Sequence, residues 1–124
     1  MLLSEGPWRQ GSRFDCFGGI EMAEVPGFRL EACAVAQSLH RVQLSGEIDV
    51  SNVEVLRQSL VPFNGTSVEL DVSELTFIDA AALGTLIGVR ERLRRQGYDL
   101  RITGAQGIVR TVIELVGPED WIAA

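Results

Sequence analysis

The stretch of sequence that decides the fold is residues 70–84, LDVSELTFIDAAALG. Its first part alternates apolar Leu70 and Val72 with acidic Asp71, which is the period-two pattern of a half-buried strand. Its second part begins with Asp79, a good N-cap residue, and continues with alanines, which favour a helix. The stretch therefore predicts a strand that runs directly into a helix capped by Asp79.

The helix after Asp79 is predicted to end at Gly97, a natural C-terminal stop. Its core-facing stripe consists of Leu83, Leu86, Ile87 and Leu93. Its last turns carry the basic residues Arg90, Arg92, Arg94 and Arg95. Positive charge at a helix C-terminus favours the macrodipole, so we interpret this cluster as a solvated helix face.

Upstream of the decisive stretch, two alternating runs predict a hairpin of strands around Leu30 and Leu44, joined at Gln37-Ser38. A helix is predicted next, because Ser51 and Glu54 match a capping box. The apolar residues of this helix, which Pro62 stops, are Val53, Leu56 and Leu60.

Downstream, Leu100 and Ile102 predict another strand, and a last helix carries Ile108, Val112 and Leu115 on one face. The element order strand, strand, helix, strand, helix, strand, helix predicts an α/β domain. Its sheet is expected to be mixed, with about four strands and with helices packed mainly on one face. We assign residues 28–124 to this domain and residues 1–27 to an N-terminal extension, poorly ordered or packed on the surface.

The composition excludes several kinds of chemistry. A chain of 124 residues fits one domain. All 11 basic residues are Arg, so a Schiff-base Lys is excluded. His40 is the only histidine and Cys16 and Cys33 are the only cysteines, which excludes a multi-His or all-thiolate metal site within one chain. We expect no metal, no cofactor and no catalytic residues.

The charge and the hydropathy pattern bear on partners and compartment. A net charge of −6 argues against direct nucleic acid and anionic lipid partners. No run approaches a membrane span, and the N-terminus lacks a signal-peptide pattern, so we expect a cytoplasmic protein with no membrane partner. In a reducing compartment Cys16 and Cys33 are expected to be free thiols. Redox control stays open, if the extension folds back and brings the thiols together.

Two segments, LSGEID at residues 44–49 and the stretch 70–84, resemble the STAS domain family, which includes the bacterial anti-sigma factor antagonists. The resemblance covers about Phe28 to Trp121. The first motif is weak alone, whereas the second, at this spacing and in this element order, is specific. The resemblance implies a small STAS-like domain that is not an enzyme and works by docking onto a partner, an anti-sigma factor of the serine-kinase type.

The usual switch of that family is the second Ser of a D-S-S-G-L pattern that begins at the motif's Asp, and the anti-sigma factor kinase phosphorylates it. Mapped onto this chain, that Ser falls on Ala81, which is not phosphorylatable. The resemblance therefore implies a permanently binding-competent form, unless another site controls it. The nearest hydroxyls are those of Thr76 and Thr85; Thr85 is a candidate substitute, although solvent-facing Thr is the commoner interpretation.

The predicted partner-binding residues are Asp49, Ser51, Asp79, Ala80, Ala81, Ala82 and Thr85. Asp79 as a simple N-cap and Asp49 as a simple turn residue are the structural alternatives. The predicted function is a non-catalytic regulator that binds an anti-sigma factor, as a monomer or weak homodimer, and thereby releases a sigma factor. The alternatives are a STAS subunit of a lipid-transport ABC assembly or stress-signalling complex, and a nucleotide or small-ligand binding module.

Overall fold

A computed structural model of the chain describes residues 20–63 and 65–121. Its strands are β1 (Ile20–Val25), β2 (Phe28–Ala36), β3 (Leu39–Ile48), β4 (Ser67–Ile78) and β5 (Leu100–Thr103). Its helices are α1 (Val53–Leu60), α2 (Ala80–Arg95) and α3 (Gly107–Val116), and a short 3-10 turn follows α1 at Val61–Phe63.

The strands form one mixed sheet in the order β1-β2-β3-β4-β5. Strands β1, β2 and β3 pair in antiparallel fashion, and β3, β4 and β5 pair in parallel. The predicted α/β class and the hairpin at Gln37-Ser38 are confirmed. Along β3 and β4 the register reaches Ile48 opposite Ile78, so the carboxyl ends of these two parallel strands lie side by side.

The sheet has five strands rather than about four, because β1 lies within the segment predicted as an extension. Strand β1 joins β2 through a turn at Pro26-Gly27, and Gly27 adopts a φ of 105°. A Pro-Gly pair is a strong turn signal, but the six residues before it alternate too briefly to predict a strand. The prediction for residues 1–19 lies outside the described part of the chain.

The core joins one face of the sheet to the helices. Alternate residues of β2, β3, β4 and β5 are buried in one cluster with residues of all three helices. The predicted buried residues of α1 are confirmed; on α2, Leu83, Leu86 and Leu93 are fully buried, whereas Ile87 is only half-buried.

The prediction for α3 is wrong in its orientation. Val109 and Ile113 are buried, whereas Ile108 is 51% exposed and Leu115 is 79% exposed. The helix carries two adjacent apolar stripes, and its periodicity alone does not select which of them faces the sheet. Gln106, which directly precedes the helix, donates a 2.9 Å hydrogen bond to the Ser73 carbonyl of β4 and so ties the start of α3 to the sheet.

Cys33 corrects the expectation of free thiols. It lies on β2, opposite Arg41 of β3, and is buried. Cys33 is disulfide-bonded, so the free-thiol prediction is wrong for this residue. That prediction came from the rarity of disulfides in reducing compartments, which says nothing about where the fold of a particular chain places its sulfur atoms. Cys16 lies outside the described residues.

A buried cluster fastens the C-terminal segment to α2 and β5. Trp121 is 1% exposed, and its indole Nε1 donates a 2.8 Å hydrogen bond to the Leu100 carbonyl. The interpretation as a solvated helix face is wrong for Arg90, which is 3% exposed. Its guanidinium lies 5.6 Å from the centre of the Trp121 ring and donates to Asp99 at 3.2 Å and Asp120 at 2.8 Å. The hydrogen bond from Arg90 lowers the pKa of Asp120.

Trp121→Ala is expected to lower the free energy of unfolding by about 3 to 5 kcal/mol, because it leaves a cavity between α2 and β5. Trp121→Phe keeps most of the apolar volume and removes the indole donor, so we expect a loss of about 1 to 2 kcal/mol. Urea denaturation followed by circular dichroism measures both values. Equal losses in the two variants would show that packing around Trp121 is not what fastens the segment.

Candidate partner-docking site

Two connections meet at the carboxyl ends of β3 and β4. The loop of residues 49–52 follows β3, and α2 begins directly after β4. The backbone N–H of Asp79 donates to the carbonyl of Ile48 at 3.2 Å, which joins the two strand ends. Parallel strands place their C-terminal connections at the same edge of a sheet, where ligands and partners commonly bind in open α/β folds.

The carboxylate of Asp79 holds both connections at once. Its Oδ1 accepts the N–H of Ala82 at 2.8 Å, which confirms the predicted N-cap of α2. Its Oδ2 accepts the N–H of Val50 at 3.2 Å. One side chain therefore caps the helix and ties the preceding loop to it.

The carboxylate of Asp49 organises the loop itself. Its Oδ1 accepts the Ser51 hydroxyl at 2.5 Å and the Ser51 N–H at 2.9 Å. The hydrogen bond from the Ser51 side chain lowers the pKa of Asp49 most, and the Ser51 N–H lowers it further. A lowered pKa favours the ionised carboxylate in the folded state, so this interaction is present at neutral pH and is lost as the pH falls through the pKa of Asp49.

The predicted capping box of α1 is wrong. Asn52, not Ser51, occupies the N-cap position, and it makes no side-chain cap hydrogen bond. Glu54 turns away from the helix start and pairs instead with Arg57 and Gln58. Ser51 and Glu54 have the spacing of a capping box, but Ser51 lies one residue before the N-cap, and its hydroxyl donates to the carboxylate of Asp49.

Asn52 is a positioning residue that sequence reasoning missed. It is buried, and its Nδ2 donates to the carbonyls of Glu47 at 3.0 Å and Pro26 at 3.4 Å. Its Oδ1 accepts the N–H of Asp49 at 2.9 Å. The loop is thereby anchored to the end of β3 and to the β1–β2 turn. An Asn in a polar turn gives no sequence signal of such a role.

The exposed part of the site is small and largely apolar. Val50 is 71% exposed and Phe77 is 38% exposed, and Ala80 and Ala81 are exposed on the first turn of α2. Val50 and Phe77 were missed, although a solvent-facing apolar residue in a polar turn or at a strand end is a signal that could have found them. The residues that the first turn of α2 exposes are both alanines, so a partner surface has close access to it.

The structure brings most of the predicted residues together at this edge. Asp49, Ser51, Asp79, Ala80 and Ala81 lie on the loop of residues 49–52 or on the start of α2. Ala82 is fully buried, so its side chain faces the core and not the exposed surface. Thr85 lies one turn further along α2 and is half-buried, with its hydroxyl donating to the Ala81 carbonyl at 3.4 Å.

The chemistry available here is limited to carboxylates, hydroxyls and backbone groups. Within residues 20–63 and 65–121, no group of three or more His, Cys, Asp or Glu residues is arranged to hold a metal ion. Among the described helices, none has the length and apolar character needed to cross a membrane. The carboxylates of Asp49 and Asp79 flank the exposed apolar residues of the site.

Asp79→Ala is expected to lower the free energy of unfolding by about 1 to 2 kcal/mol, because α2 loses its cap and the Val50 N–H loses its acceptor. Asp79→Asn keeps one acceptor oxygen for the cap, so we expect about half that loss or less. Urea denaturation at neutral pH compares the two. If Asp79→Asn is as destabilised as Asp79→Ala, the stability depends on the charge of Asp79 and not on the geometry of its cap.

Comparison with known proteins identifies relatives of this chain. A family model described as "Mlab, STAS domain" matches residues 33–122. The anti-sigma-B factor antagonist of Bacillus subtilis (strain 168) is 27% identical over 84 residues, which cover 66% of this chain and 77% of the relative.

Solved structures share the fold. The anti-sigma factor antagonist SpoIIAA in its unphosphorylated form matches with a TM-score of 0.67 at 19% identity, over 76% of this chain and 85% of that chain. The phosphorylated form of SpoIIAA from Bacillus matches with a TM-score of 0.60 at 18% identity, over 76% of this chain and 88% of that chain. The predicted resemblance is confirmed by a family match that spans most of the chain: this protein belongs to the STAS domain family.

Proposed function

We propose that this chain is a non-catalytic regulatory protein that binds an anti-sigma factor and thereby releases a sigma factor. The observation that carries the proposal is the preformed surface at the carboxyl ends of β3 and β4. There the Asp79 carboxylate bonds to Val50 and Ala82 and fixes the loop of residues 49–52 against α2. The similarity to the anti-sigma-B factor antagonist of Bacillus subtilis supports the same role.

The surface suits a protein partner better than a small molecule. Its exposed residues Val50, Phe77, Ala80 and Ala81 form a rim of apolar groups at the carboxyl ends of β3 and β4, and exposed apolar groups are a feature of protein docking sites. The flanking carboxylates of Asp49 and Asp79, together with the net charge of −6, favour a partner with Arg or Lys on its docking surface.

The residue at position 81, in the first turn of α2, determines whether the docking surface can be regulated by phosphorylation there. SpoIIAA, a protein of the same fold, has been solved in phosphorylated and unphosphorylated forms. In this chain Ala81 stands where the family pattern has its phosphorylatable Ser, and a methyl group accepts no phosphoryl group. Phosphorylation at position 81 therefore cannot switch off binding, and the α2 surface stays binding-competent as far as that position is concerned.

The proposed partner is an anti-sigma factor of the serine-kinase type, and the proposed compartment is the cytoplasm, where sigma factors act. The chain itself is proposed to act as a monomer or weak homodimer without a cofactor. Its binding energy is expected to come from the apolar rim, with the carboxylates contributing mainly to orientation and association rate.

The test is affinity capture from the native host with a tagged chain, followed by identification of the captured proteins by mass spectrometry. We expect enrichment of a kinase-type anti-sigma factor over an untagged control. Failure to recover one, when a tagged antagonist of known partner does so in the same host, would overturn the proposal. Recovery of ABC-transporter subunits instead would favour the transport alternative, and thermal stabilisation by a nucleotide would favour the ligand-binding one.

A further inference from the structure

We propose that Ser51 is a phosphorylation site through which the docking surface is regulated, a role that rests on the proposed function. Ser51 is exposed, and it lies next to Val50 in the loop that Asp79 ties to the start of α2. A phosphoryl group on Ser51 would therefore stand on the same surface as Ala81, although on a different segment of the chain.

The hydroxyl of Ser51 differs from the other hydroxyls near the site. Thr76 donates its hydroxyl to the Gly46 carbonyl at 3.1 Å, and half-buried Thr85 donates to the Ala81 carbonyl. Ser51 donates its hydroxyl to a carboxylate oxygen of Asp49 at 2.5 Å. Ser51 and Thr76 are both exposed, but of these three hydroxyls only that of Ser51 donates to a carboxylate, which is positioned to take its proton.

The sequence pattern predicted that the Ser51 hydroxyl would cap α1. In a capping box the Ser51 side chain would accept a backbone N–H at the start of α1, but the structure places Asn52 at the N-cap. The Ser51 oxygen is thus not committed to the helix. Its only hydrogen bond among those described is the one that it donates to Asp49.

The reaction class is phosphoryl transfer from the γ-phosphate of a nucleoside triphosphate, which a serine kinase supplies with its metal ion. The Ser51 oxygen attacks the γ-phosphorus, and the new O–P bond forms as the bond from that phosphorus to the β,γ-bridging oxygen breaks. The nucleoside diphosphate leaves with that electron pair. The hydroxyl proton passes to the Asp49 carboxylate, whose Oδ1 already accepts it at 2.5 Å, and then to solvent.

Phosphorylation would change the surface through charge and through the loss of a donor. Phosphoserine has no hydroxyl proton to donate to Asp49, and it carries about −1.5 to −2 charges at neutral pH. The phosphate would stand beside the Asp49 carboxylate and near that of Asp79, so like charges would separate the loop from α2. The apolar rim that includes Val50 would then lose its fixed position.

The experiment isolates the full chain from the native host during growth and stress and locates phosphate by intact-mass and peptide mass spectrometry. We expect one phosphate, on Ser51, in the wild-type chain and none in Ser51→Ala. Thr85→Val is the matched control, and it is expected to retain the phosphate. Absence of phosphate under all conditions, or phosphate only at another residue, would overturn the assignment.

A second arm measures partner capture by Ser51→Glu and by its uncharged counterpart Ser51→Gln. We expect at least tenfold less anti-sigma factor with Ser51→Glu, and equal capture by the two variants would overturn the regulatory role. The two proposals fail separately: capture by wild type without phosphate on Ser51 removes only the Ser51 proposal, whereas absence of any anti-sigma factor in the wild-type capture removes the proposed function. In either case, peptide mass spectrometry determines whether Ser51 is phosphorylated.

Discussion

Ala81→Glu is expected to weaken binding of the captured anti-sigma factor at least about 100-fold, or about 2.8 kcal/mol, while leaving the fold intact. Ala81 is exposed on the first turn of α2, so a Glu there would place a long charged side chain on the surface where we propose that the partner docks. Burying that charge under a partner without a matched cation costs several kcal/mol. The same charge near a helix N-terminus favours the macrodipole, so thermal stability is expected to stay equal or rise slightly.

Two controls separate charge from size and from location. Ala81→Gln has nearly the same volume without the charge, so its loss of affinity is expected to be at least about tenfold smaller. Thr111→Glu adds the same charge at an exposed position of α3, a helix that Asp79 does not cap, and is expected to bind as wild type. Isothermal titration calorimetry gives the dissociation constants. Wild-type affinity in Ala81→Glu would remove α2 from the docking surface.

Gly46→Ala is expected to have the largest effect on stability of any single methyl addition to the site, about 3 to 4 kcal/mol. Gly46 adopts a φ of 101°, and a Cβ there would lie 2.3 Å from the carbonyl oxygen of Gly27. That oxygen cannot retreat freely, because it accepts the N–H of Glu47 at 2.7 Å. The clash would push the β1–β2 turn away from Asn52 and so loosen the loop that carries Asp49.

Gly97→Ala is the matched control for Gly46→Ala. Gly97 ends α2 with a φ of 91°, and a Cβ there would meet nothing within 4 Å. Its substitution carries the left-handed backbone penalty alone, about 1 kcal/mol. Thermal and urea denaturation of both variants measure the difference. If Gly97→Ala is as destabilised as Gly46→Ala, backbone conformation and not the close approach to Gly27 accounts for the requirement for glycine.

The parts of the fold that the sequence predicted are those in which local signals and burial agree. Asp79 is a good N-cap, it is followed by residues that favour a helix, and Gly97 ends that helix, so α2 forms where its sequence alone places it. The hairpin at Gln37-Ser38 and the strand around Leu70 were predicted for the same reason. The location of the site followed from the resemblance, which pointed to the loop after β3 and the start of α2.

The parts that were missed depend on contacts between distant segments. Strand β1 gains its stability from pairing with β2, which a short run of residues does not reveal. The start of α3 is tied to β4 by Gln106, and the Ser51 hydroxyl donates to Asp49 instead of capping α1. Asn52 acts across 26 residues to reach Pro26. Such tertiary contacts override local conformational preferences, and no short segment of the sequence predicts them.

The two hydrogen bonds of the Asp79 carboxylate have a consequence for how a partner associates. Because the loop and the helix start are already held together in the free chain, little conformational entropy remains to be lost on binding. Association then amounts to docking of a rigid surface, limited by orientation rather than by rearrangement. Complexes of this chain are accordingly expected to differ in lifetime far more than in their rate of formation.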